Sequence, residues 1–186
     1  SGSQRSHLVR HLQLKRKNTD HSMEWVAVSN HQLETLAKQD PSLTPYFAGV
    51  FAADTLPSQP KRVQPQAYIV NTDPQDRPGR HWIALWTEGH VCEKMDSYGL
   101  PLTYYQSSPL ETWLRRHWNI IESNTQSLQA LNSATCGHYA LKYLVDKSQG
   151  KTLRDFLDQF SRYDYVHNDA LIARWMKRKM IHQTLQ

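Results

Sequence analysis

Cysteine is scarce in this chain of 186 residues: Cys92 and Cys136 are its two cysteines, 44 positions apart. Two thiols cannot build a disulfide framework, which points to a reducing compartment such as cytosol or nucleus. They also make a structural zinc site hard to assemble. His81, His90 and Cys92 are the nearest grouping, and no second Cys/His pair follows at zinc-finger spacing, so no metal is expected. No apolar run approaches the roughly 20 residues of a membrane span, and no signal-like apolar stretch opens the sequence, so no membrane association is expected. A large excess of one charge is missing too, once the net +5 is partitioned. Residues 1–22 hold Arg5, Arg10, Lys15, Arg16 and Lys17 against Asp20, leaving 17 basic and 16 acidic residues elsewhere. Residues 1–22 therefore read as a basic arm or, given the opening Ser-Gly-Ser and Met23 as a natural start, an added leader. Such an arm could dock a partner or contact nucleic acid. What is present, 39% hydrophobic and 10% aromatic residues, suits one folded domain over 23–186.

The apolar spacing predicts a mixture of short helices and strands. "SNHQLETLAKQD" reads as an amphipathic helix capped by Ser29 or Asn30 and stopped by Pro41. After a Pro-rich stretch from Pro57 to Pro65, "AYIV" (67–70) is a short strand and "NTDPQDRPGR" a turn-dense loop. "HWIALWT" (81–87) and "VCEKMDSY" (91–98) form a plausible hairpin through Glu88-Gly89. "SSPLETWLRRHW" starts a helix with Ser108 as cap, and "WNII" reads as a strand. Helices are expected over 136–147, 153–160 and 169–181, the last capped by Asn168. The outline is α+β: a small mixed central sheet flanked by helices.

"LNSATCGHY" (131–139) places Cys136 where the last buried-looking helix begins. A helix N-terminus and a neighbouring imidazolium are the usual means of lowering a thiol pKa, so Cys136 is a candidate nucleophile, with Gly137 permitting close approach of the chain. Among ten histidines, His81 is the best candidate base, because it ends a loop and begins a strand that can hold its ring. Trp82 beside it would wall a groove. The orienting acid should lie on the neighbouring strand, where Asp96 is favoured over Glu93 and Asp73. An oxyanion donor is expected from Gln129 or Gln126 in the loop leading to Cys136.

The blocks "GRHWIALW", "CEKMDSYG" and "NTQSLQALNSATCGHY" resemble, in order, the His-Trp, acidic-aromatic-Gly and Gln-x6-Cys-Gly blocks of the adenovirus maturation proteases (adenain), which share a clan with the SUMO-specific (Ulp-type) proteases. Upstream, "LTPYFAGVF" and "YIVNT" resemble further adenain segments, so the likeness runs from about Pro45 to Leu144. The resemblance implies a papain-like active site in circularly permuted order, with Cys136 as nucleophile, His81 as base, Asp96 as orienting acid and Gln129 as oxyanion donor. It implies Trp82 and Gly137 at the substrate groove, cleavage after glycine in short glycine-containing motifs, and action as a monomer on protein or peptide substrates. It also implies residence in host cytoplasm, nucleus or virion. It calls for no cofactor, although a basic peptide or DNA could serve as a noncovalent activator.

The sequence departs from that pattern at two places. The acid is Asp96 where adenain has glutamate, and Trp118 stands where adenain has the cysteine that links its activator peptide, so a covalent link is excluded here. Cys92 aligns with a strand cysteine and reads as core. Two other functions compete. One is a ubiquitin-like-protein isopeptidase of the same clan. The other is a noncatalytic nucleic-acid-binding protein using the arm and the basic face Arg174, Lys177, Arg178 and Lys179.

Overall fold

A computed structural model describes residues 27–77, 79–131 and 133–185. The basic arm and Met23 lie outside the described residues. Five strands form one sheet in sequence order: β1 (Phe47–Phe51), β2 (Gln66–Asn71), β3 (Trp82–Glu88), β4 (Val91–Met95) and β5 (Ile120–Ser123). β1 pairs parallel with β2, β2 antiparallel with β3, β3 antiparallel with β4, and β4 parallel with β5. Among the described residues six helices accompany them: α1 (Asn30–Gln39), α2 (Leu102–Tyr105), α3 (Ser108–His117), α4 (Cys136–Ser148), α5 (Leu153–Leu157) and α6 (Tyr165–Thr184). The expected α+β class with a small mixed sheet is what the chain forms.

Strand alternation divides the apolar residues between two cores. Ala67, Ile69, Ala84 and Trp86 face one side, where they join α1, α4 and α6 through residues such as Leu33, Tyr139, Leu144 and Ile172. Tyr68, Val70, Ile83 and Leu85 face the other, with Leu110, Trp113, Leu114 and Trp118 from α3 and its C-cap. This two-sided burial explains why "AYIV" is apolar at every position, since every residue of β2 is buried. Cys92 lies fully buried in the second core, and burial pushes its thiol pKa far up. Trp118 is buried there under the guanidinium of Arg62, 4.2 Å from its ring centroid.

Helix ends follow local chemistry where the chain is exposed. Ser29 and Gln32 form a reciprocal capping box on α1, and Thr152 and Asp155 form another on α5. Elsewhere the boundaries differ from the local reading. The N-cap of α3 is Ser107 rather than Ser108. α6 begins at Tyr165 under an Asp164 cap, so Asn168 lies inside the helix, fully buried, instead of capping it. α5 stops at Leu157, short of the expected 160. β1 and α2 are additions to the expected elements; β1 is held by a parallel partner whose paired residues lie 19 or 20 positions away, beyond the reach of local pattern. Among the described residues, no helix is long and apolar enough to cross a membrane.

Candidate active site

α4 is buried nearly all round, from Cys136 through Asp146, and runs across the sheet face under α1 and α6. Its first residue is Cys136, with 9% exposure at the mouth of a groove of about 470 Å³. Trp82, Gly137, Ala134, Arg80, Asp73 and Val28 are among the residues lining that groove with the thiol. His81, Asp96 and Gln129 lie behind it, each at most 1% exposed. Gly137 has a packing role as well: a Cβ there would meet Val28 Cγ2 at 2.7 Å, so its missing side chain lets the strap before α1 close over α4.

His81 immediately precedes β3, and Asp96 immediately follows β4, the antiparallel neighbour of β3. The hairpin therefore brings the two side chains to the same end of the sheet. His81 Nε2 and Asp96 Oδ1 are 2.7 Å apart. The imidazole is stacked between Tyr98 (centroids 4.9 Å apart) and Tyr105 (5.2 Å), which fixes its plane. With Nε2 committed to Asp96, Nδ1 is the nitrogen left for the Cys136 side chain, which is near enough to the ring to help raise its pKa. Burial by itself would depress the His81 pKa. The Asp96 carboxylate, by charge and hydrogen bond, and then Cys136 outweigh that cost and lift it to about 9.

Asp96 is held by more than the histidine. Its Oδ1 also accepts the Tyr98 N–H (2.8 Å), and its Oδ2 accepts the Tyr105 hydroxyl (2.6 Å) and the Leu100 N–H (3.3 Å). These donors and the positive ring overcome the desolvation that burial imposes, holding the carboxyl below its ordinary range. The backbone donors converge because the chain turns sharply at Gly99, where φ is +64° and a Cβ would sit 2.4 Å from the Thr125 carbonyl oxygen. Asn124 fastens the Asp96 backbone from both sides, accepting its N–H (2.9 Å) and donating Nδ2 to its carbonyl (2.6 Å).

The remaining expected residues divide. Gln129 accepts from Ser97 Oγ (2.6 Å) and donates Nε2 to the Ser133 carbonyl (3.0 Å). One of its two amide hydrogens is thus committed, and the amide is rigidly held. Gln126 offers its backbone carbonyl to Asn124 (3.0 Å). Glu93 is far from the imidazole's needs: it accepts the Tyr143 hydroxyl in a short hydrogen bond and pairs with Lys147 at 3.3 Å. Asp73 binds Arg80 Nε at 2.7 Å in the groove wall. Of the basic face on α6, Lys179 is drawn into a short ion pair with Asp40 and lies 5.7 Å from the Trp175 ring. No group of three or more His, Cys, Asp or Glu side chains able to hold a metal occurs among the described residues.

Tyr98, Tyr105 and Asn124 were not singled out from the sequence. Tyr98 had a signal, since it stands two residues after Asp96 in "CEKMDSYG"; Tyr105 and Asn124 had none. Tyr105→Phe keeps the stack but removes the hydroxyl bond to Asp96. We expect a stability loss of about 1–2 kcal/mol and, as the imidazole loosens, a fall of about tenfold in turnover. A thermal melt and kcat/KM on one peptide substrate measure both; unchanged turnover would show the hydroxyl is dispensable to the ring.

A buried imidazole–carboxylate pair thus stands at one end of the sheet, near the thiol that begins helix α4 and lines the groove. No protein-family model matches the chain. It is 30% identical over 129 residues to the protease of Human adenovirus A serotype 12, a match spanning 62% of this chain and 62% of that protein's length. Two solved structures of the ASFV protease also align. One covers 90% of this chain and 78% of its own at 11% identity and a TM-score of 0.44. The other, a selenomethionine form, covers 59% and 43% at 16% identity and a TM-score of 0.37. Over those 129 residues the chain is similar to the adenovirus protease, and it spans just under two thirds of that protein's length.

Proposed function

We propose that the chain is a cysteine endopeptidase that cleaves proteins or peptides after glycine, in the manner of a viral maturation protease. The observation that carries this reading is the His81 ring: clamped through Nε2 to Asp96, raised in pKa, and left with Nδ1 for the only thiol that opens onto the groove among the described residues. In this reading the Cys136 thiolate attacks the scissile carbonyl carbon, forming a tetrahedral adduct. Collapse breaks the C–N bond as protonated His81 gives its proton to the leaving amine, producing a thioester. Water then attacks the thioester while His81 takes its proton, releasing the acid and restoring the thiol–imidazole pair. The first-turn N–H groups of α4 and the Gln129 amide supply hydrogen bonds to the developing oxyanion. Trp82 walls the groove beside the sulfur, which supports a preference for residues without side chains at the cleavage point.

The test is a peptide-library cleavage profile, accompanied by iodoacetamide labelling read by mass spectrometry. Cleavage after glycine is expected, with Cys136 alkylated at least about a hundredfold faster than Cys92 near pH 7. Equal and slow labelling of both cysteines would sink the protease reading. Preferential cleavage of ubiquitin-like-protein conjugates would instead place the substrate among isopeptide-linked tails. Running the profile with and without residues 1–22, and with a basic peptide or DNA added, identifies any noncovalent activator.

A further inference from the structure

Asp169 lies in the first turns of α6, 3% exposed, outside the groove and out of contact with the imidazole pair. Its Oδ1 accepts the hydroxyls of Tyr139 (2.8 Å) and Thr135 (3.0 Å), and its Oδ2 accepts the Ala130 N–H (3.2 Å). The Ser133 side chain is a further hydrogen-bond partner. A carboxylate is rarely buried this deeply unless its oxygens are satisfied, and here every donor comes from the chain entering α4 or from α4 itself. The preceding residue, Asn168, donates Nδ2 to the Leu128 carbonyl at 3.1 Å. Two consecutive residues of α6 thus hold the backbone on either side of Gln129 and the residue just before Cys136.

Thr135 reveals the consequence. Ser29 and Thr152 precede α1 and α5 with ψ of 165° and 166°, and each caps its own helix through its side-chain oxygen. Thr135 precedes α4 with φ −96° and ψ 6°, makes no side-chain cap, and gives its hydroxyl to Asp169, with Ser133 Oγ also 2.9 Å from that oxygen. A threonine at this position ordinarily turns its oxygen to the N–H groups of the first turn. Here that oxygen is held away, so those donors and the positive end of the helix dipole are left for whatever stands at the helix start.

We propose that Asp169 is a positioning residue for the Cys136 thiol: by retaining the Thr135 hydroxyl it keeps the first-turn N–H groups of α4 available to the sulfur and to the substrate carbonyl, and by holding Ala130 it fixes Gln129. This rests on the reading of Cys136 as nucleophile. Replacing Asp169 removes the carboxylate acceptor of the Thr135 hydroxyl, which then turns either to Ser133 Oγ, already 2.9 Å away, or, with a shift of the Thr135 backbone, to the first-turn N–H groups, where it competes with the sulfur. Of the other groups acting on the sulfur, His81 and Tyr105, with Asp96 behind the imidazole, have no contact with Asp169, while Tyr98 also feels the Asp169 charge.

The experiment measures the pH profile of Cys136 alkylation by iodoacetamide in the full chain, with Cys92 as internal reference and a thermal melt for each variant. Asp169→Ala should move the alkylation midpoint up by about one pH unit and slow labelling at pH 7 by about tenfold. Peptide turnover should fall in kcat while KM stays within about twofold. Adding Thr135→Val, which removes the competing hydroxyl, should return the midpoint part of the way, a recovery that a merely structural role would not produce. Should Asp169→Ala fail to fold, Asp169→Asn decides, with a smaller shift in the same direction. A folded variant whose midpoint matches the wild type overturns the proposal. If wild-type Cys136 itself labels no faster than Cys92, the nucleophile reading fails instead, which is a separate outcome.

Discussion

Asp96→Ala is expected to destabilise the protein by about 3–5 kcal/mol and to lower peptide turnover by at least about 10³-fold. The stability loss arises because His81 is 1% exposed and its ring is held charged chiefly by the carboxylate beside it, with Cys136 second. Without Asp96 the histidine must lose its proton or remain a buried, unpaired cation, and the Tyr98 N–H, Leu100 N–H and Tyr105 hydroxyl lose their acceptor at the same time. The activity loss follows from orientation. Asp96 holds Nε2 and so leaves Nδ1 for the sulfur; without that hold, the imidazole is free to rotate and the other tautomer becomes available. Asp96→Asn separates the two effects. It preserves the shape and most hydrogen bonds while removing the charge, so stability should fall less than in the alanine variant while turnover still falls steeply. Urea unfolding and kcat/KM provide the comparison; full activity in either variant would remove Asp96 from the mechanism.

Cys136→Ala should abolish peptide hydrolysis, a loss of at least about 10⁴-fold, while the melt stays within about 1 kcal/mol of wild type because the thiol sits at the groove mouth. It should also lower the His81 pKa, since Cys136 contributes to raising it. The sign of the pH effect follows. His81 has a folded pKa of about 9 against an ordinary value of 6.5. Its contribution to stability is therefore fully present below about pH 6.5 and is lost as pH climbs through about 9. In Cys136→Ala the loss should begin at lower pH. The same titration should end wild-type turnover on the alkaline side, because above about pH 9 the ring has no proton for the leaving amine. Imidazole resonances followed by NMR across pH 5–10 would measure both forms, and an unshifted His81 titration would mean that the sulfur and Nδ1 do not interact.

Several parts of this architecture were legible because their causes are local. The capping box at Ser29, the stop at Pro41, the β3–β4 hairpin and the apolar alternation of β2 and β3 each depend on residues within a few positions of one another. The juxtaposition of His81 and Asp96 was readable for the same reason. A tight hairpin puts the residue before one strand next to the residue after the other, and they are 15 positions apart. At α6 a tertiary contact overrides the local cap signal. Asn168 has the composition of a cap, yet its amide is spent on Leu128, 40 positions away, and Asp164 caps α6 instead.

The amino-acid pattern alone determined the class of fold, the strand pairing through the central hairpin, and which thiol, imidazole and carboxylate would be near one another. Period, capping and turn chemistry act over a few residues and leave their mark in composition. Only the folded chain decided how firmly those groups are held. Tyr105 reaches Asp96 across 9 positions, Asn124 across 28, and Asp169 reaches Thr135 across 34. Such contacts exist because packing two cores against the sheet brings distant polar groups into a space without water. There each must find a partner, and no local periodicity records which partner that is.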